Sequence, residues 1–320
     1  SLVEQGLVQR AELLNLILAD IYGPRKLIEN GLLPPEVVFT HRGFLWPCVG
    51  LLPPGGRHLN FYSANIARAK DGRFWILDDH STPPFGSGYA LENRVVMTRS
   101  FPRLYQDFQV HRLAMFFRAL RNRLTLLARN NQTEPRIVVL TPGPEHALYF
   151  EHAYLAAYLG YTLVQGGDLV VRDGCVWLKS VGGLRQVDVI LNRLDDALCD
   201  PLELRGASLF GIPGLLEAVR RGNVTTANAL GSDVLHNPAL MAFLPGISRH
   251  LLGEELRLPS VATWWCGQPR EREFVLQNLN KLVIKPIHPI PGSPETIPGQ
   301  LSESQLSACR ERILANPHLY

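Results

Sequence analysis

Asn65, Asp78 and His80 carry an amide, a carboxylate and an imidazole, three groups that can hold a cation. Asp71-Gly72 lies between them, and Asp-Gly flanked by β-forming residues is the strongest signal for a two-residue hairpin turn. Counting outward from such a turn places Asn65 opposite Asp78, and the two-residue period of a strand places His80 on the face of Asp78. The spacing therefore predicts that the three groups meet. A purely structural hairpin is the alternative, since such hairpins are common in α/β proteins.

A loop with the sequence Ser-Thr-Pro-Pro-Phe-Gly-Ser-Gly-Tyr follows the hairpin, from Ser81 to Tyr89. Its two prolines stiffen the backbone, while Gly86 and Gly88 remove side chains that would keep a ligand away from the backbone amides. We therefore expect Gly86 and Gly88 to contact a substrate.

A β-α-β pattern begins at Arg136. Apolar runs predict strands at 137–140, 161–166 and 187–191, with a helix from about Glu145 to Gly160. This order predicts a parallel sheet, in which ligands bind outside the carboxyl ends of the strands.

Polar clusters follow two of these predicted strands. The first contains Thr141, Gly143 and Glu151-His152, and the second runs from Asn192 through Arg193 to Asp195 and Asp196. Taken alone, the first cluster is typical of a helix cap and the second of a solvated turn. Their position also makes them candidates for binding a substrate.

Two other segments show helical spacing of apolar residues. The first runs from Ala11 to Asn30 with an interruption at Tyr22-Gly23-Pro24, and the second runs from Tyr105 to Ala128 and predicts an amphipathic helix that bridges two bodies.

Lysines flank an apolar segment near the carboxyl terminus, Lys281-Leu-Val-Ile-Lys285-Pro. A lysine that closes an apolar strand and precedes the glycine-bearing loop 292–299 suits phosphate binding, although a snorkelling surface lysine is the alternative. We prefer Lys285 to Lys281 for this role. The pair Trp264-Trp265 predicts at least one core tryptophan, with a stacking platform as the alternative for the other.

Composition excludes several classes of protein. A length of 320 residues favours two domains or one elaborate α/β body. A net charge of +3 does not indicate a nucleic-acid-binding surface. The five cysteines are scattered without a CxxC pair, which is typical of reduced thiols in a cytoplasmic protein. No apolar stretch approaches a membrane span, so we expect no membrane partner.

The chain resembles the circularly permuted ATP-grasp family (type 2) related to glutathionylspermidine synthase, in motifs that follow the family order along nearly the whole length. The most specific is Thr-Trp-Trp-Cys-Gly at 263–267, and the others are at 65–68, 71–72, 76–80, 84–94, 140–144, 149–152, 192–195, 199–205, 211–216, 227–232 and 281–286.

The resemblance implies a circularly permuted ATP-grasp fold with a Rossmann-like pre-ATP-grasp domain. It divides the chain into four parts: a permuted ATP-grasp part with the metal-binding hairpin (1–104), a bridging helix (105–135), a parallel α/β pre-ATP-grasp domain (136–260) and a lysine arm (261–320). Circular permutation places the metal arm ahead of the lysine arm in sequence. We therefore expect Asp78 and Lys285 to lie close together.

The match departs from the family at the predicted metal ligands. Asn65, Asp78 and His80 stand where the family has Asp, Glu and Asn, and Asn192 replaces an arginine. Because Mg²⁺ prefers carboxylate oxygen, these replacements should weaken its binding. Asp79 would point to the opposite face of a regular strand, so it could compensate only through a bulge.

The family's chemistry is ATP-dependent ligation of a small-molecule carboxylate to an amine or peptide through an acyl phosphate, with ATP and Mg²⁺ as cofactors. The resemblance implies that Lys285, Lys281 and Arg68 bind phosphate and that Asn65, Asp78 and His80 hold the metal. It also implies that Arg193 or Arg94 binds the carboxylate or acyl phosphate. Gly86, Gly88, Asp195 and Glu151 complete the predicted substrate-binding set.

Two other interpretations stay open. The weakened metal set favours a degenerate ATP-grasp body that binds a nucleotide or peptide as an assembly module, and the least specific alternative is an α/β scaffold without a nucleotide site. The chain ends at Tyr320, where the resemblance implies a strand that holds adenine. We therefore expect weak ATP binding and negligible turnover from residues 1–320 without downstream sequence.

Overall fold

A computed structural model describes residues 1–81, 86–128, 134–288, 297 and 302–320 of this mixed α/β chain. The α-helices are α1 (Leu2–Ile21), α2 (Lys26–Glu29), α3 (Pro35–Phe39), α4 (Ser87–Ser100), α5 (Pro102–Asp107), α6 (Ala114–Leu126), α7 (Tyr149–Leu159), α8 (Leu215–Arg220), α9 (Leu244–Leu251), α10 (Pro269–Gln277) and α11 (Glu303–Ala315).

The strands form three sheets. They are β1 (Ser63–Arg68), β2 (Phe74–His80), β3 (Ile137–Leu140), β4 (Thr162–Val164), β5 (Leu169–Arg172), β6 (Cys175–Ser180), β7 (Gly183–Gln186), β8 (Val189–Asn192) and β9 (Thr225–Ala227). β1 pairs with β2, and β5-β6-β7 form an antiparallel sheet. The remaining four strands form a parallel sheet in the order β4-β3-β8-β9.

The chain divides into two compact units, each built from separate stretches of sequence. Unit 1 comprises Ser1–Phe44, Ala64–His80 and Asp233–Tyr320, and unit 2 comprises Leu45–Ser63 and Ser81–Ser232. These two units do not test the boundaries of the four parts that the resemblance implies, and those boundaries stay a prediction.

Helix α1 supplies much of the core of unit 1. It starts at Leu2 and not at the predicted Ala11, because Ser1 and Glu4 form a capping box that satisfies the first turn. Leu13, Leu18 and neighbouring apolar residues on the same side are at most 1% exposed. The interruption predicted at 22–24 is present, and α2 follows it.

The hairpin turn in unit 1 differs from the prediction by one residue. Ala69 N–H donates to Arg73 O at 2.8 Å and Gly72 N–H donates to Ala69 O at 2.9 Å, which closes a three-residue loop with Gly72 at φ +84°. Asp71 Oδ1 favours this loop because it accepts the amide of Arg73 at 3.0 Å. The predicted pairing of Lys70 with Arg73 is therefore wrong, and the count that placed Asn65 opposite Asp78 loses its starting point.

The segment 281–288 in unit 1 is irregular where the sequence predicted a strand. Ile284 takes part in one isolated bridge, and the residues around it form turns and bends. Burial of apolar side chains fixes this segment, since Ile284 packs in a cluster with Cys266, Val275 and Ile313. The following glycine-bearing loop lies, except for Ile297, outside the described residues.

The predicted parallel sheet of unit 2 is confirmed. Val138 of β3 pairs with Thr162 of β4 on one side and with Ile190 of β8 on the other, and both pairings are parallel. All residues of β3 and β8 are buried, as expected for central strands covered on both faces. After β3 the chain passes through α7 to β4 on one side of β3, whereas β8 lies on its other side. A crevice is therefore expected at the carboxyl ends of β3 and β8.

Two features of unit 2 differ from the sequence prediction or were absent from it. The single helix predicted over 105–128 is two helices, α5 and α6, because Gln109 adopts a left-handed φ of +46°. The sheet β5-β6-β7 was not predicted. Asp173-Gly174, whose φ values are +52° and +73°, marks its first turn with the same Asp-Gly signal as the hairpin.

The cysteine prediction agrees with the structure, in which all five cysteines are free. Across the described ranges of the chain, no helix combines the length and apolar character needed to cross a bilayer.

Candidate functional site

A cleft of about 410 Å³ lies within unit 1. Its walls are largely apolar and include Trp264, Val283 and Tyr320, whereas Asp78, Lys281 and Lys285 place charges along the same cleft. This volume and composition are typical of a small-molecule site, in which apolar walls hold a flat group and a few polar groups set its orientation.

Asp78 and Lys285 meet in this cleft. Lys285 Nζ lies 3.5 Å from Asp78 Oδ1, and the two side chains are 38% and 29% exposed. The prediction that the hairpin and the lysine segment lie close together despite their separation in sequence is therefore confirmed. Partial exposure keeps the ion pair weak, so an incoming anion can compete for the ammonium group at modest cost.

Asp79 is held away from Asp78 by a buried partner. Arg10 Nε donates to Asp79 Oδ1 at 3.0 Å and Arg10 Nη2 lies near Asp79 Oδ2, with the two side chains 0% and 4% exposed. The expectation that Asp79 points away from the predicted metal set agrees with this contact. Its carboxylate is committed to an arginine fork and does not replace the missing metal ligand.

Unit 1 contains two pairs of histidine rings, one of which includes His80 at the end of β2. The rings of His80 and His236 lie 5.5 Å apart in an edge-to-face arrangement, and those of His41 and His288 lie 6.0 Å apart. Burial, followed by the charges of His288 and His236, lowers the pKa of His41 to about 4. In the part of the chain that the structure describes, no three His, Cys, Asp or Glu residues form a group that could hold a metal ion.

The other residues predicted on the hairpin are less enclosed. Asn65 is exposed on β1, and the Arg68 guanidinium lies 5.8 Å from the centroid of the Phe74 ring, a cation–π contact near the turn. The roles of Asn65 in metal binding and of Arg68 in phosphate binding stay predictions.

Glu151 in unit 2 binds the start of α4. Its carboxylate accepts the amide of Gly86 at 2.7 Å and that of Gly88 at 3.1 Å, and Ser87 Oγ lies 3.3 Å away. Glu151 is 1% exposed. The structure thus brings three predicted substrate-binding residues together, with the protein's own carboxylate on the amides that were expected to face a substrate. The prolines at 83 and 84 lie outside the described residues.

A second group in unit 2 lies at the carboxyl ends of β3 and β8. His152 Nδ1 is 2.9 Å from Thr141 Oγ1, and Arg193 N–H donates to Leu140 O at 2.9 Å directly after β8. Burial lowers the pKa of His152 to about 4, and the positive charge of Arg193 adds to this effect. Burial also lowers the pKa of Arg193 to about 10, against the opposing effect of Glu151. A neutral imidazole and a guanidinium therefore sit where the fold places ligands.

The remaining acidic residues of unit 2 have local partners. Asp195 accepts the amide of Ala197 at 3.0 Å, and Asp196 accepts that of Gly231 at 2.9 Å. Asp200, which is 0% exposed, accepts the amides of Gly214 at 3.1 Å and Leu216 at 2.9 Å at the start of α8. These contacts match the turn and cap interpretation of the cluster after β8. Arg94, the other predicted carboxylate ligand, is half-buried on α4.

Sequence reasoning missed two central residues. Arg10 lies just before the helical pattern predicted from Ala11, and its neighbours in the sequence give no sign of its buried partner. Asn228 accepts the amides of Asn60 at 2.6 Å and Phe61 at 2.7 Å and donates to the carbonyl of Ser81, so one amide side chain fixes two segments of unit 2. Its place after the short buried strand β9 was the available signal. The prediction of a core tryptophan is confirmed, since Trp265 is 4% exposed.

Comparison with known families bears on these sites. The sequence profile described as "Circularly permuted ATP-grasp type 2" matches residues 1–320. The chain belongs to this family.

Relatives in this family include longer proteins. An uncharacterized protein of Mycobacterium tuberculosis is 42% identical over 98% of this chain and 35% of its own length. An uncharacterized protein of Synechocystis is 37% identical over 99% of this chain and 66% of its own length. A second uncharacterized M. tuberculosis protein is 36% identical over 98% of this chain and 57% of its own length. The chain thus spans between about a third and two thirds of these relatives.

Proposed function

We propose that this chain carries the lysine and metal arms of an ATP-dependent carboxylate–amine ligase of the glutathionylspermidine synthase-like type, with a Rossmann-like pre-ATP-grasp domain in unit 2. The observation that carries the proposal is the pairing of Lys285 with Asp78 inside an apolar cleft of unit 1. Family membership supports nucleotide binding and ligase chemistry as the general class.

The cleft suits a nucleotide. Its apolar walls would hold the base, and the ammonium groups of Lys281 and Lys285 would bind the phosphate oxygens. Neutralising phosphate charge with fixed cations is the main demand of phosphoryl transfer, because the transferred group carries most of the developing charge. Arg68 is proposed to add a further cation.

Magnesium is proposed to bind here as a companion of the nucleotide. Mg²⁺ keeps several waters and often binds through one or two carboxylates together with substrate phosphates, a role proposed for Asp78 in the cleft. Asn65 and His80 stay proposed as weaker ligands. The ion would supply charge neutralisation on the phosphates. Among the described residues the donor set is too sparse for a dedicated protein cage.

The proposed reaction has two steps. A substrate carboxylate oxygen attacks the γ-phosphorus of ATP, and the bond to the β-phosphate oxygen breaks to give an acyl phosphate and ADP. An amine nitrogen then attacks the acyl carbon, phosphate leaves with the C–O bond electrons, and the nitrogen loses a proton. Arg193 or Arg94 would bind the carboxylate or acyl phosphate, with Gly86, Gly88, Glu151 and Asp195 shaping that substrate region.

A second candidate function is a binding module that holds a nucleotide or peptide without turnover. One observation favours it: Lys285 and Asp78 already pair with each other, and Asp79 is committed to Arg10. A site with one accessible carboxylate supports binding of phosphate better than it supports phosphoryl transfer.

Calorimetric titration of the chain with ATP, with and without Mg²⁺, tests both candidates. We expect Lys285→Ala to weaken ATP binding at least tenfold, or about 1.4 kcal/mol, whereas Lys26→Ala, at an exposed position on α2, should have no effect. Equal affinities for wild type and Lys285→Ala would contradict the proposed cleft. Phosphate release stimulated by an added amine would support the ligase, and binding without such release would support the module.

A further inference from the structure

Arg10 is a fully buried residue of unit 1 that binds the strand carrying Asp78. In addition to the fork on Asp79, its Nη1 donates to Leu258 O at 3.4 Å. The guanidinium therefore binds both the end of β2 and the segment at 258. Its neighbour Gln9 binds the same segment, donating to Glu255 O at 2.9 Å and accepting from Arg257 N–H at 2.8 Å.

The two elements that Arg10 joins both contribute to the wall of the cleft. Asp78 on β2 lines the cleft, and so does the segment that continues from 258 through Val261 to Trp264. These elements also pair directly, since Ile76 N–H donates to Pro259 O at 2.9 Å and Val261 N–H donates to Ile76 O at 2.9 Å. The position of Asp78 thus depends on contacts made by its neighbours on both elements.

The chemistry of the pair indicates a role in orientation. Transferring an arginine and an aspartate into the core carries a large desolvation cost, and an apolar pair of similar volume is often as stable or more stable. A bidentate fork, however, fixes the plane of a carboxylate in a way that apolar packing cannot. Since successive strand residues point to opposite faces, fixing Asp79 inward directs Asp78 outward.

We propose that Arg10 is a positioning residue for the cleft, which through Asp79 holds Asp78 in place against Lys285. The proposal deepens the proposed function and rests on it for its significance. The geometric part concerns the Asp78–Lys285 pair and can be measured without a nucleotide.

The test replaces the buried ion pair by apolar residues of similar size, Arg10→Met with Asp79→Leu, and measures acetylation of Lys285 by a water-soluble succinimidyl ester with mass spectrometry. Asp78→Asn removes the carboxylate that pairs with Lys285 Nζ at 3.5 Å, so the released side chain should be acetylated about threefold faster. The double variant should reproduce most of this rise. Lys281 of the same molecule serves as an internal reference, and its rate should stay unchanged.

The exposed pair Arg249–Glu255, at 2.8 Å and 59% and 67% exposed, provides the matched control. Arg249→Met with Glu255→Leu should leave the Lys285 rate at the wild-type value. If the first double variant does not fold, Arg10→Lys replaces it, because one ammonium group keeps the charge but cannot fork both oxygens, and an intermediate rate is expected. A wild-type rate in whichever folded variant is measured would overturn the proposal, as would an Asp78→Asn rate equal to wild type.

ATP titration separates this inference from the proposed function. If wild type binds ATP, the Arg10→Met, Asp79→Leu variant should bind at least fivefold more weakly at an unchanged circular dichroism spectrum, and unchanged affinity would contradict positioning of the cleft. If wild type does not bind ATP, the proposed function fails, while the acetylation rates still decide whether Arg10 orients Asp78.

Discussion

Acid should destabilise this protein through His41. His41 is 7% exposed, and its Nδ1 accepts the amide of Gly43 at 3.1 Å, which requires the neutral ring. Burial, with the charges of two other histidines, lowers its pKa from 6.5 to about 4. Between these values the unfolded chain binds a proton that the folded chain does not, so the free energy of unfolding falls as the pH falls from about 6.5 to about 4.

The size of this effect follows from the pKa change. Each pKa unit corresponds to about 1.4 kcal/mol, so His41 accounts for a loss of about 3 kcal/mol when the pH falls through that range. Below about pH 4 both states bind the proton and the loss is complete. This is a large share of the stability of a typical domain.

Urea unfolding at pH 7.5, 6.5, 5.5 and 4.5, followed by tryptophan fluorescence, measures this loss. His41→Asn should be less stable than wild type at pH 7.5, because the buried contacts of the ring are lost, yet its stability should fall less steeply with acid. The exposed His250→Asn should follow the wild-type curve. Parallel curves for wild type and His41→Asn would refute the reasoning.

Three further predictions concern buried contacts. Asp200→Ala should lower the free energy of unfolding by about 1–3 kcal/mol in urea, because the start of α8 loses the acceptor of its amides; an unchanged midpoint would contradict this role. Glu151→Ala should increase hydrogen exchange at the first amides of α4 at least tenfold, whereas unchanged protection would show that its carboxylate is dispensable there. Gly43→Ala should destabilise by about 1–3 kcal/mol, since a Cβ at this position would lie 2.5 Å from the backbone of Asp233; a wild-type melting temperature would contradict this close approach.

Much of the fold could be predicted from local pattern. The parallel strands β3, β4 and β8 follow from apolar runs in a β-α-β order. The order of the family's motifs along the chain predicted that Asp78 and Lys285 lie close together. The errors arise where one contact outweighs the local pattern. Asp71 Oδ1 binds the Arg73 amide and shifts the hairpin turn by one residue.

The candidate site shows the same limit. Periodicity predicts which strand face a side chain occupies, but the partner on that face comes from a distant part of the chain. Asp79 was expected to point away from Asp78, yet nothing in the sequence near Arg10 indicates that an arginine of α1 binds it 69 positions away. Burial of an ion pair depends on three-dimensional packing, which residue type and spacing do not encode locally.

The partners of the acidic residues decide where chemistry is possible. Glu151 and Asp200 accept backbone amides at helix starts, and Asp196 accepts the amide of Gly231. A buried carboxylate that accepts two or three hydrogen bonds loses them if it turns toward a ligand. Each donor left unsatisfied then costs about 1–3 kcal/mol. Asp78 faces a smaller barrier, because its partially exposed pair with a lysine can be exchanged for phosphate and metal at little cost. The energetics therefore favour the cleft of unit 1 as the place where a charged ligand binds.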